Sequence, residues 1–405
     1  MRERELVKTL KVKALPESSD EKLHEFLKLF RDATQLIINS IWSMSEVPSI
    51  KTLHRMFYDE LRKSGLRAHH VKQVYSYAKA IIKSAKKNSG KKPVLRRLTA
   101  RIDKYDYKLE LESKTLIVKL HKGYETKLKL LASEERIEKF LGWSNYEIVI
   151  KFDGREYWVS IYFKKVVKTR EHRTVMAIDV NFDNVTLAVF SKSGKLLRVK
   201  RFETPLRRIL THRIWVERIQ KRYSRSWRFI KGVRRAIKRH GERARNIAFE
   251  YTNKLGNIVA ELANRYTSVI VLENLKEVRE NNKRSRSFNK KLSLWFYRRI
   301  QSVVEFKALE RGLETVYVSP RKTSSKCPRC RGKLVEAGYR VLKCKKCDFV
   351  GDRDVIACMN LFNRYPRCGV PGVTLNAPKP NENPSGMQGN KNEGMTSTII
   401  NLYQT

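Results

Sequence analysis

The sequence predicts a multidomain α+β protein, and three observations lead to this fold class. Its 405 residues exceed the ~250–300 at which a single hydrophobic core stops growing, so we expect several domains. Hydrophobic residues make up 41% of the chain, enough to build cores over most of its length. Apolar residues follow a helical period in some blocks and a strand-like alternation in others, which indicates both helices and sheets.

The charge balance restricts the class of partner. The chain has 87 Lys and Arg residues against 41 Asp and Glu, a formal net charge of +46. Such an excess excludes an ordinary metabolic enzyme acting on neutral small molecules. It indicates a polyanionic partner, either nucleic acid or an anionic membrane surface.

Neither a membrane span nor an export signal is visible in the sequence. It contains no run of ~18 apolar residues, and residues 1–13 alternate charged and apolar side chains instead of forming a signal-peptide core. The positive charge is spread along the chain, whereas a membrane-surface protein would carry a separate basic amphipathic helix or a polybasic tail. We therefore expect a cytoplasmic, nucleoid-associated protein that binds nucleic acid and no membrane.

Helical patterning dominates residues 20–97. Apolar residues recur at helical spacing over 23–41 and again over 71–85. These two amphipathic runs predict a small helical domain over 20–97. His69 and His70 precede the second run without a partner motif nearby, so we interpret both as surface polar residues.

Strand patterning surrounds this helical segment. A strand over 6–15 opens the chain, and apolar and charged residues alternate over 107–120 after the helices. Two further strand-like runs join at an Asp-Gly pair, a strong hairpin signal. We predict that residues 1–19 and 98–170 together form a small β-barrel. The lysines on its polar positions fit either a solvated face or a surface that binds a nucleic-acid backbone.

A third pattern begins at residue 171. Its strands are predicted over 175–180, 185–190, 196–202, 269–272 and 314–318, with a long helical stretch before the fourth strand and a helix over 292–310 before the fifth. Three antiparallel strands followed by helix, strand, helix and strand form the order of a ribonuclease-H-like domain. We assign this domain to residues 171–322, and residues 351–366 add its last motif.

Three acids in this domain are candidate catalytic residues. Asp179 lies near the end of the first strand, Glu273 ends the fourth, and Asp354 begins a predicted helix. A carboxylate at the end of a buried strand needs a partner, and a metal ion supplies one. If the two strands are neighbours, the three acids meet at one sheet edge, bind Mg²⁺ or Mn²⁺, and hydrolyse a phosphodiester by a two-metal mechanism. A single strand-terminal acid is more typical of a turn or a cap, so the hypothesis depends on all three.

The cysteines give a sharper motif. Cys327 and Cys330 form one Cys-x-x-Cys pair, and Cys344 and Cys347 form a second pair thirteen residues further on. Four thiolates satisfy tetrahedral Zn²⁺, so we predict a structural zinc ribbon over 323–350. The alternative is a redox pair or unrelated thiols. Cys358 lies outside the spacing and is predicted to pack as a small hydrophobe in a helix.

A basic segment is the strongest electrostatic signal. Fifteen of the 39 residues from Arg207 to Arg245 are Lys or Arg and two are acidic, and a single helix is predicted over 205–246. An apolar stripe runs through it, for which core packing is the default and base stacking the minor alternative; its members are Ile219, Tyr223, Trp227, Ile230, Val233 and Ile237. The candidate nucleic-acid-binding residues on its charged faces are Arg222, Arg225, Arg228, Arg234, Arg235 and Lys238.

Two further segments have a biased composition. Residues 281–291 form a second basic stretch, which we interpret as a flexible loop. Residues 367–405 are rich in Asn, Pro and Gly and are predicted to be a disordered tail. Cys368 lies in this tail and has no assigned role.

Taken together, the motifs resemble the TnpB family of transposon-encoded, RNA-guided DNA nucleases, which are related to the type V CRISPR effectors. The resemblance rests on Ala177-Ile178-Asp179, on Val271-Leu272-Glu273-Asn274-Leu275, on Thr323-Ser324-Ser325-Lys326-Cys327 and on Asp352-Arg353-Asp354 with Asn360. These motifs occur in the family's order and cover roughly the C-terminal half of the chain. The N-terminal half fits by architecture only.

The resemblance implies a domain organisation. The predicted β-barrel would be a wedge domain, and the helical domain inserted in it a recognition domain. The ribonuclease-H-like domain would be a RuvC nuclease domain that carries the zinc ribbon as an insert.

The resemblance also implies roles for individual residues. Asp179, Glu273 and Asp354 would be the RuvC triad, with Asp352 as the rival for the last place. Three positions depart from the family pattern: Asn181 stands where Gly is frequent, Ile356 where Asn is common and Cys358 where Ala is expected. None of them removes a carboxylate, so we expect activity.

The function implied is that of an RNA-guided DNA endonuclease. A guide RNA from the transposon end would pair with a double-stranded DNA target, which is cleaved next to a short motif. Two alternatives remain open: a DNA transposase or integrase that performs strand transfer, and a non-cutting RNA-guided DNA-binding repressor. The sequence does not define the oligomeric state.

Overall fold

The computed structural model describes residues 3–17, 19–88, 90–275, 296–365 and, for the backbone only, 399–400. The chain forms two compact units, Glu5–Val166 and a second made of Met1–Arg4 and Val167–Thr405. We call them the N-terminal and C-terminal units. Both helices and sheets contribute, which confirms the predicted mixed α and β composition. Within the described residues, no helix is both long and apolar enough to cross a membrane.

The N-terminal unit is built on a seven-stranded sheet. Its strands are β1 (Glu3–Pro16), β2 (Leu98–Asp103), β3 (Tyr107–Glu110), β4 (Thr115–Lys119), β5 (Glu125–Leu131), β6 (Ser144–Phe152) and β7 (Tyr157–Lys168). They lie in the order β2-β6-β7-β1-β5-β4-β3. β2 and β3 are therefore the edges, and the predicted barrel is observed as a half-barrel sheet.

Helices fill the long connection between β1 and β2. They are α1 (Glu21–Ile41), α2 (Ile50–Lys63) and α3 (Ala68–Asn88), and a short helix, α4 (Glu134–Glu138), follows β5. The sequence reasoning found α1 and α3 but missed α2. Its buried residues Leu53, Phe57 and Leu61 have helical spacing, but most of the other side chains are polar and hide the pattern. The helices and the half-barrel sheet share one hydrophobic core.

The prediction that His70 is a surface residue was wrong. Its side chain is fully buried in α3, with Nε2 3.3 Å from Asp106 Oδ2. Arg67 Nε donates to the other oxygen of Asp106 at 2.7 Å. Burial lowers the pKa of His70 to about 4, with Arg67 also lowering it and Asp106 opposing the shift. The sequence hides this because Asp106 lies in the connection between β2 and β3, far from His70 along the chain.

This buried histidine predicts a pH dependence of stability. Unfolded His70 takes up a proton near pH 6.5, whereas folded His70 does so only near pH 4. The free energy of unfolding should therefore fall as pH falls from about 6.5 to about 4, by up to ~3 kcal/mol. His70→Asn should flatten this slope in denaturant titrations at a series of pH values. His69→Asn, which alters the half-buried neighbouring histidine, should not. An unchanged slope in His70→Asn would contradict the assignment.

The C-terminal unit contains a six-stranded mixed sheet. Its strands are β8 (Thr174–Val180), β9 (Asn184–Ser191), β10 (Leu196–Glu203), β11 (Ser268–Glu273), β12 (Thr315–Val318) and β16 (Ile399–Ile400), in the order β12-β11-β8-β9-β10-β16. β8, β9 and β10 pair antiparallel, whereas β11 pairs in parallel with both β8 and β12. All five strands predicted for this region are present.

The helices of this unit differ from the prediction in one respect. They are α5 (Leu206–Tyr223), α6 (Lys231–Arg265), α7 (Tyr297–Leu309) and α8 (Arg353–Asn363). The single helix predicted over 205–246 is a hairpin of α5 and α6, joined by a 3-10 turn at Ser224–Arg228. Ser224 has a φ of 43°, and the hydroxyl of Ser226 donates to the Tyr223 carbonyl at the end of α5. Such serine side chains compete with helical backbone bonding and end the helix here.

Core packing of the apolar stripe in this hairpin was also largely wrong. Val233 is buried, but Tyr223 and Ile230 are exposed, and Ile219, Trp227 and Ile237 are half-buried. The helical spacing was read correctly, but the hairpin has little core to pack against. The predicted basic loop over 281–291, Cys368 and the predicted tail over 367–405 lie outside the described residues, except for the β16 backbone.

Candidate active site

Two of the predicted acids end neighbouring strands of the C-terminal sheet. Asp179 lies next to the end of β8, and Glu273 is the last residue of β11. These strands pair in parallel with Ile178 opposite Leu272, so each acid occupies the next position along its strand. Their side chains are 7% and 9% exposed. The strands thus lie side by side, as the predicted convergence of the acids requires.

The third acid reaches the same edge from helix α8. Asp354 lies in the first turn of α8 and is 2% exposed. Asn181 donates through Nδ2 to Asp179 Oδ2 at 2.6 Å and to Asp354 Oδ1 at 3.2 Å. Asn181, one of the departures from the family pattern, therefore bridges two of the predicted acids.

Helix α8 is held against the sheet by apolar residues. Phe362 packs on Phe190 of β9 with ring centroids 4.8 Å apart. The Cys358 thiol is fully buried, as its predicted packing role requires, and donates to the Thr186 carbonyl at 3.4 Å. Ile356 is fully buried as well. These two departures from the family pattern therefore fill the core below the site.

The structure separates the roles of Asp352 and Asp354. Asp352 Oδ1 accepts hydrogen bonds from the backbone N–H groups of Asp354 at 2.9 Å and Val355 at 3.2 Å, so this residue is the N-cap of α8. It also accepts from Arg201 Nη2 at 2.7 Å. Its side chain is 27% exposed, against 3% for that of Asp354. Asp352 begins the helix, and Asp354 faces the buried edge.

Two arginines that the sequence reasoning missed contact Asp354. Arg201 Nη2 lies 3.3 Å from Asp354 Oδ2, and Arg340 Nη2 donates to the same oxygen. Arg340 also lies 3.3 Å from Asp183 through Nη1. In a chain with 87 Lys and Arg residues, no sequence signal distinguishes these two.

Glu273 has its own polar neighbours. Thr323 Oγ1 donates to Glu273 Oε1 at 2.8 Å, and Gln301 Nε2 donates to the Glu273 carbonyl at 2.7 Å. Asn360 of α8 in turn donates through Nδ2 to the carbonyls of Thr323 at 2.7 Å and Lys326 at 2.8 Å. Thr323 and Asn360 were quoted only as motif letters, and the contacts now give each a position beside the acids.

The electrostatics of the edge favour a bound cation. Burial raises the pKa of Asp179 to about 8, the charges of Glu273 and Asp354 raise it further, and the Asn181 hydrogen bond opposes the shift. Burial also raises the pKa of Glu273, against the Thr323 hydrogen bond and the Arg364 charge. A divalent cation would stabilise the charged form of both carboxylates. Oxygen donors of this kind fit Mg²⁺ or Mn²⁺.

The spacing of the acids sets a limit on that fit. In the part of the chain that the structure describes, the four cysteines form the only group of three or more His, Cys, Asp or Glu side chains with ligand atoms all within 4.8 Å of one another. The three acids therefore share an edge without closing to that spacing. Asp354 is instead paired with the two arginines.

The four predicted cysteines do come together. They lie on and beside a small sheet of β13 (Leu334–Gly338), β14 (Val341–Cys344) and β15 (Val350–Asp352). Cys327 Sγ is 3.6 Å from Cys347 Sγ, and Cys330 Sγ is 3.4 Å from Cys344 Sγ. Four thiolates at ~2.3 Å from a tetrahedral zinc would lie ~3.8 Å apart, close to these distances. The cluster is therefore able to hold a metal ion.

The predicted nucleic-acid-binding residues are accessible on the hairpin of α5 and α6. All six side chains are exposed: Arg222, Arg225, Arg228, Arg234, Arg235 and Lys238. Lys238 forms a long ion pair with Glu242 at 3.8 Å. The other five have no carboxylate at ion-pair distance among the described residues.

Comparison with known proteins places these features in a family. Residues 297–361 match the Cas12f1-like TNB domain family. A TnpB-like protein of Methanocaldococcus jannaschii is 34% identical over 228 residues, covering 55% of this chain and 79% of that protein. The CRISPR-associated endodeoxyribonuclease Cas12f2 of a Micrarchaeota archaeon is 26% identical over 183 residues, covering 43% of this chain and 32% of that protein.

A solved structure supports the same relationship at the level of the fold. The cryo-EM structure of a Cas12f1–sgRNA–target DNA complex matches 88% of this chain and 98% of its own chain, with a TM-score of 0.61 and 13% sequence identity. The match to the Methanocaldococcus protein extends over most of that relative and includes sequence identity well above this level. The chain therefore belongs to the TnpB family.

Proposed function

We propose that the chain is an RNA-guided DNA endonuclease encoded by a transposon. The observation that carries this proposal is the placement of Asp179, Glu273 and Asp354 at one edge of the C-terminal sheet. Cas12f2 is named an endodeoxyribonuclease, and the Cas12f1 structure holds a guide RNA and target DNA, which supports the same class of activity and partners here. The net charge of +46 fits two polyanionic partners.

The domain roles are part of the proposal. The half-barrel sheet, over 1–19 and 98–170, would be the wedge domain, and the helices within 20–97 the recognition domain. Residues 171–322 and 351–366 would form the RuvC nuclease domain. The cysteine cluster over 323–350 would be its zinc-ribbon insert.

The proposed chemistry divides between a metal ion and the side chains around it. Asp179, Glu273 and Asp354 would hold Mg²⁺ or Mn²⁺, which when bound activates water and stabilises the leaving oxygen of a phosphodiester. Asn181 holds two of the carboxylates in register, and Thr323 orients the third. Arg201 and Arg340 lie beside the acids, among the groups to which a phosphate would be drawn.

The test of this function begins with the RNA that copurifies with the protein. Sequencing that RNA and supplying double-stranded DNA complementary to it should give Mg²⁺-dependent double-strand breaks next to a short motif. Strand-joined products would favour the transposase or integrase alternative. Occupancy of the target without cutting would favour the repressor, and random host RNA would contradict the guided function altogether.

A glycine beside the cysteines gives a separate prediction for the proposed zinc. A Cβ atom at Gly332 would lie 3.1 Å from Cys344 Sγ and 3.2 Å from Cys330 Sγ, tighter than ordinary contact. Gly332→Val should therefore lower zinc affinity by roughly ten- to a hundredfold, the size of effect seen for disturbed metal surroundings. Zinc content after chelator challenge measures this.

The matched control is Gly241→Ala in α6, where an added Cβ would meet nothing within 4 Å. This variant should keep its zinc. Full zinc retention by Gly332→Val, or purified wild-type protein without zinc, would refute the proposed site.

A further inference from the structure

The end of the α5–α6 hairpin carries a surface that the proposed active site does not use. We define the hairpin tip as residues 221–239, which include the end of α5, the 3-10 turn and the start of α6. Nine of its 19 residues are Lys or Arg, and none is Asp or Glu. Val233 is the only one of these residues that is buried.

Aromatic side chains stand in the open at this tip. Phe229 is 85% exposed and Tyr223 is 36% exposed, while Trp227 is half-buried between them in the sequence. Ile230 adds further exposed apolar surface. The 3-10 turn itself contains no buried residue, so these rings are not covered by the packing of the hairpin. A cluster of exposed apolar side chains of this kind marks an interaction surface.

Cations lie on the same patch as the rings. The Arg228 guanidinium is 4.7 Å from the centroid of the Trp227 ring, and that of Arg222 is 5.9 Å from the centroid of Tyr223. Among the described residues, no carboxylate neutralises Arg222, Arg225 or Arg228. Uncompensated cations beside exposed aromatic rings are the combination that binds single-stranded nucleic acid, in which phosphates and unpaired bases alternate along one strand.

Other occupants fit this surface less well. Two copies of the chain would bring two tips of nine cations each together, which is repulsive. A helix lying on a membrane segregates its cations and its apolar residues to opposite faces, whereas here Arg228 lies against Trp227. A nucleic-acid duplex keeps its bases stacked inside and offers the rings no partner.

We propose that the hairpin tip binds single-stranded nucleic acid, with Trp227 and Phe229 stacking on unpaired bases and the neighbouring arginines contacting phosphates. This adds a binding surface to the proposed function and does not require cleavage. Unpaired bases of a DNA strand or of an RNA would present the same chemistry to the tip.

The test is equilibrium binding of the full-length protein in EDTA, followed by fluorescence anisotropy. The probes are oligothymidylate, oligouridylate and a thymidylate-length strand of abasic sites. The double variant Trp227→Ala, Phe229→Ala should weaken binding of both base-bearing strands by roughly tenfold or more and leave abasic binding unchanged. Its dependence of affinity on salt should also stay unchanged, since no phosphate contact is lost.

Two further variants separate stacking from charge and from misfolding. Arg225→Gln with Arg228→Gln should weaken all three probes alike and reduce the salt dependence by roughly 0.7 per lost contact. Trp227→Phe should retain binding, because it keeps an aromatic ring. Tyr105→Ala alters an exposed ring beside Lys104 in the N-terminal unit and should leave binding unchanged.

The outcomes distinguish this inference from the proposed function. Tighter binding of oligouridylate would assign the tip to RNA, and tighter binding of oligothymidylate to a DNA strand. Equal binding of abasic and base-bearing strands by the wild-type protein would overturn the inference, as would aromatic-dependent binding to anionic phospholipid vesicles without oligonucleotide binding. Because cleavage is not measured, an inactive Asp179→Asn protein should give the same binding results.

Discussion

Asp179→Asn should abolish DNA cleavage while leaving guide RNA and target DNA bound. The substitution keeps the size of the side chain and the contact with Asn181, but it removes the charge that would hold a metal ion at the sheet edge. Loss of ~4 kcal/mol of metal-dependent stabilisation corresponds to a rate loss of roughly a thousandfold or more. Cleavage by the ribonucleoprotein and a gel-shift assay on the same target would measure the two effects.

A matched control for this variant is Glu203→Gln, which neutralises an exposed acid at the end of β10 in the same sheet. Its cleavage rate should stay within a few-fold of the wild type. Wild-type cutting by Asp179→Asn would remove the proposed mechanism. Normal binding without cutting, by contrast, would show that the acid serves chemistry and not the fold.

Asp354→Asn should be as damaging as Asp179→Asn, whereas Asp352→Asn should be mild. Asp354 is buried at the edge beside Asn181, so its charge is available to a metal ion. Asp352 caps α8, and Asn is an equally good N-cap, so we expect a stability change below ~1 kcal/mol and cleavage within about tenfold of the wild type. Cleavage rates and denaturant midpoints of the two variants would be compared.

This pair is informative because the two acids are two residues apart and share Arg201 as a neighbour. A general loss of local charge would affect both variants alike. If Asp352→Asn were the more damaging change in cleavage without loss of stability, the assignment of the third acid would have to move to Asp352.

The convergence of the acids could be predicted from sequence because strand ends are visible in the pattern. Glu273 closes an apolar run, and Asp179 lies next to the end of another. Parallel pairing of the two strands then sets both acids at one edge. The cysteine cluster was predictable for a similar reason, since two Cys-x-x-Cys turns define a ligand set locally.

The partners of those acids could not be predicted in the same way. Arg201 lies on β10, and Arg340 lies in the turn between β13 and β14, where it adopts a φ of 61°. Both reach Asp354 only because of how distant segments fold, and neither carries a local pattern. The break between α5 and α6 was hidden as well, because apolar spacing continues through the turn and a helical period does not report where backbone bonding stops.

The attachment of α8 to the cysteine insert has a thermodynamic consequence. The helix begins directly after β15, where the insert ends, and its Asn360 and Asn363 side chains hold the carbonyls of Thr323, Lys326 and Pro328, where the insert begins. The insert is thus a loop whose two ends are fastened to the helix that carries Asp354. Ordering the loop and ordering that helix are therefore one cooperative event. A chelator that strips the cysteines should loosen the acid edge without touching its carboxylates, so loss of zinc would appear as loss of cleavage.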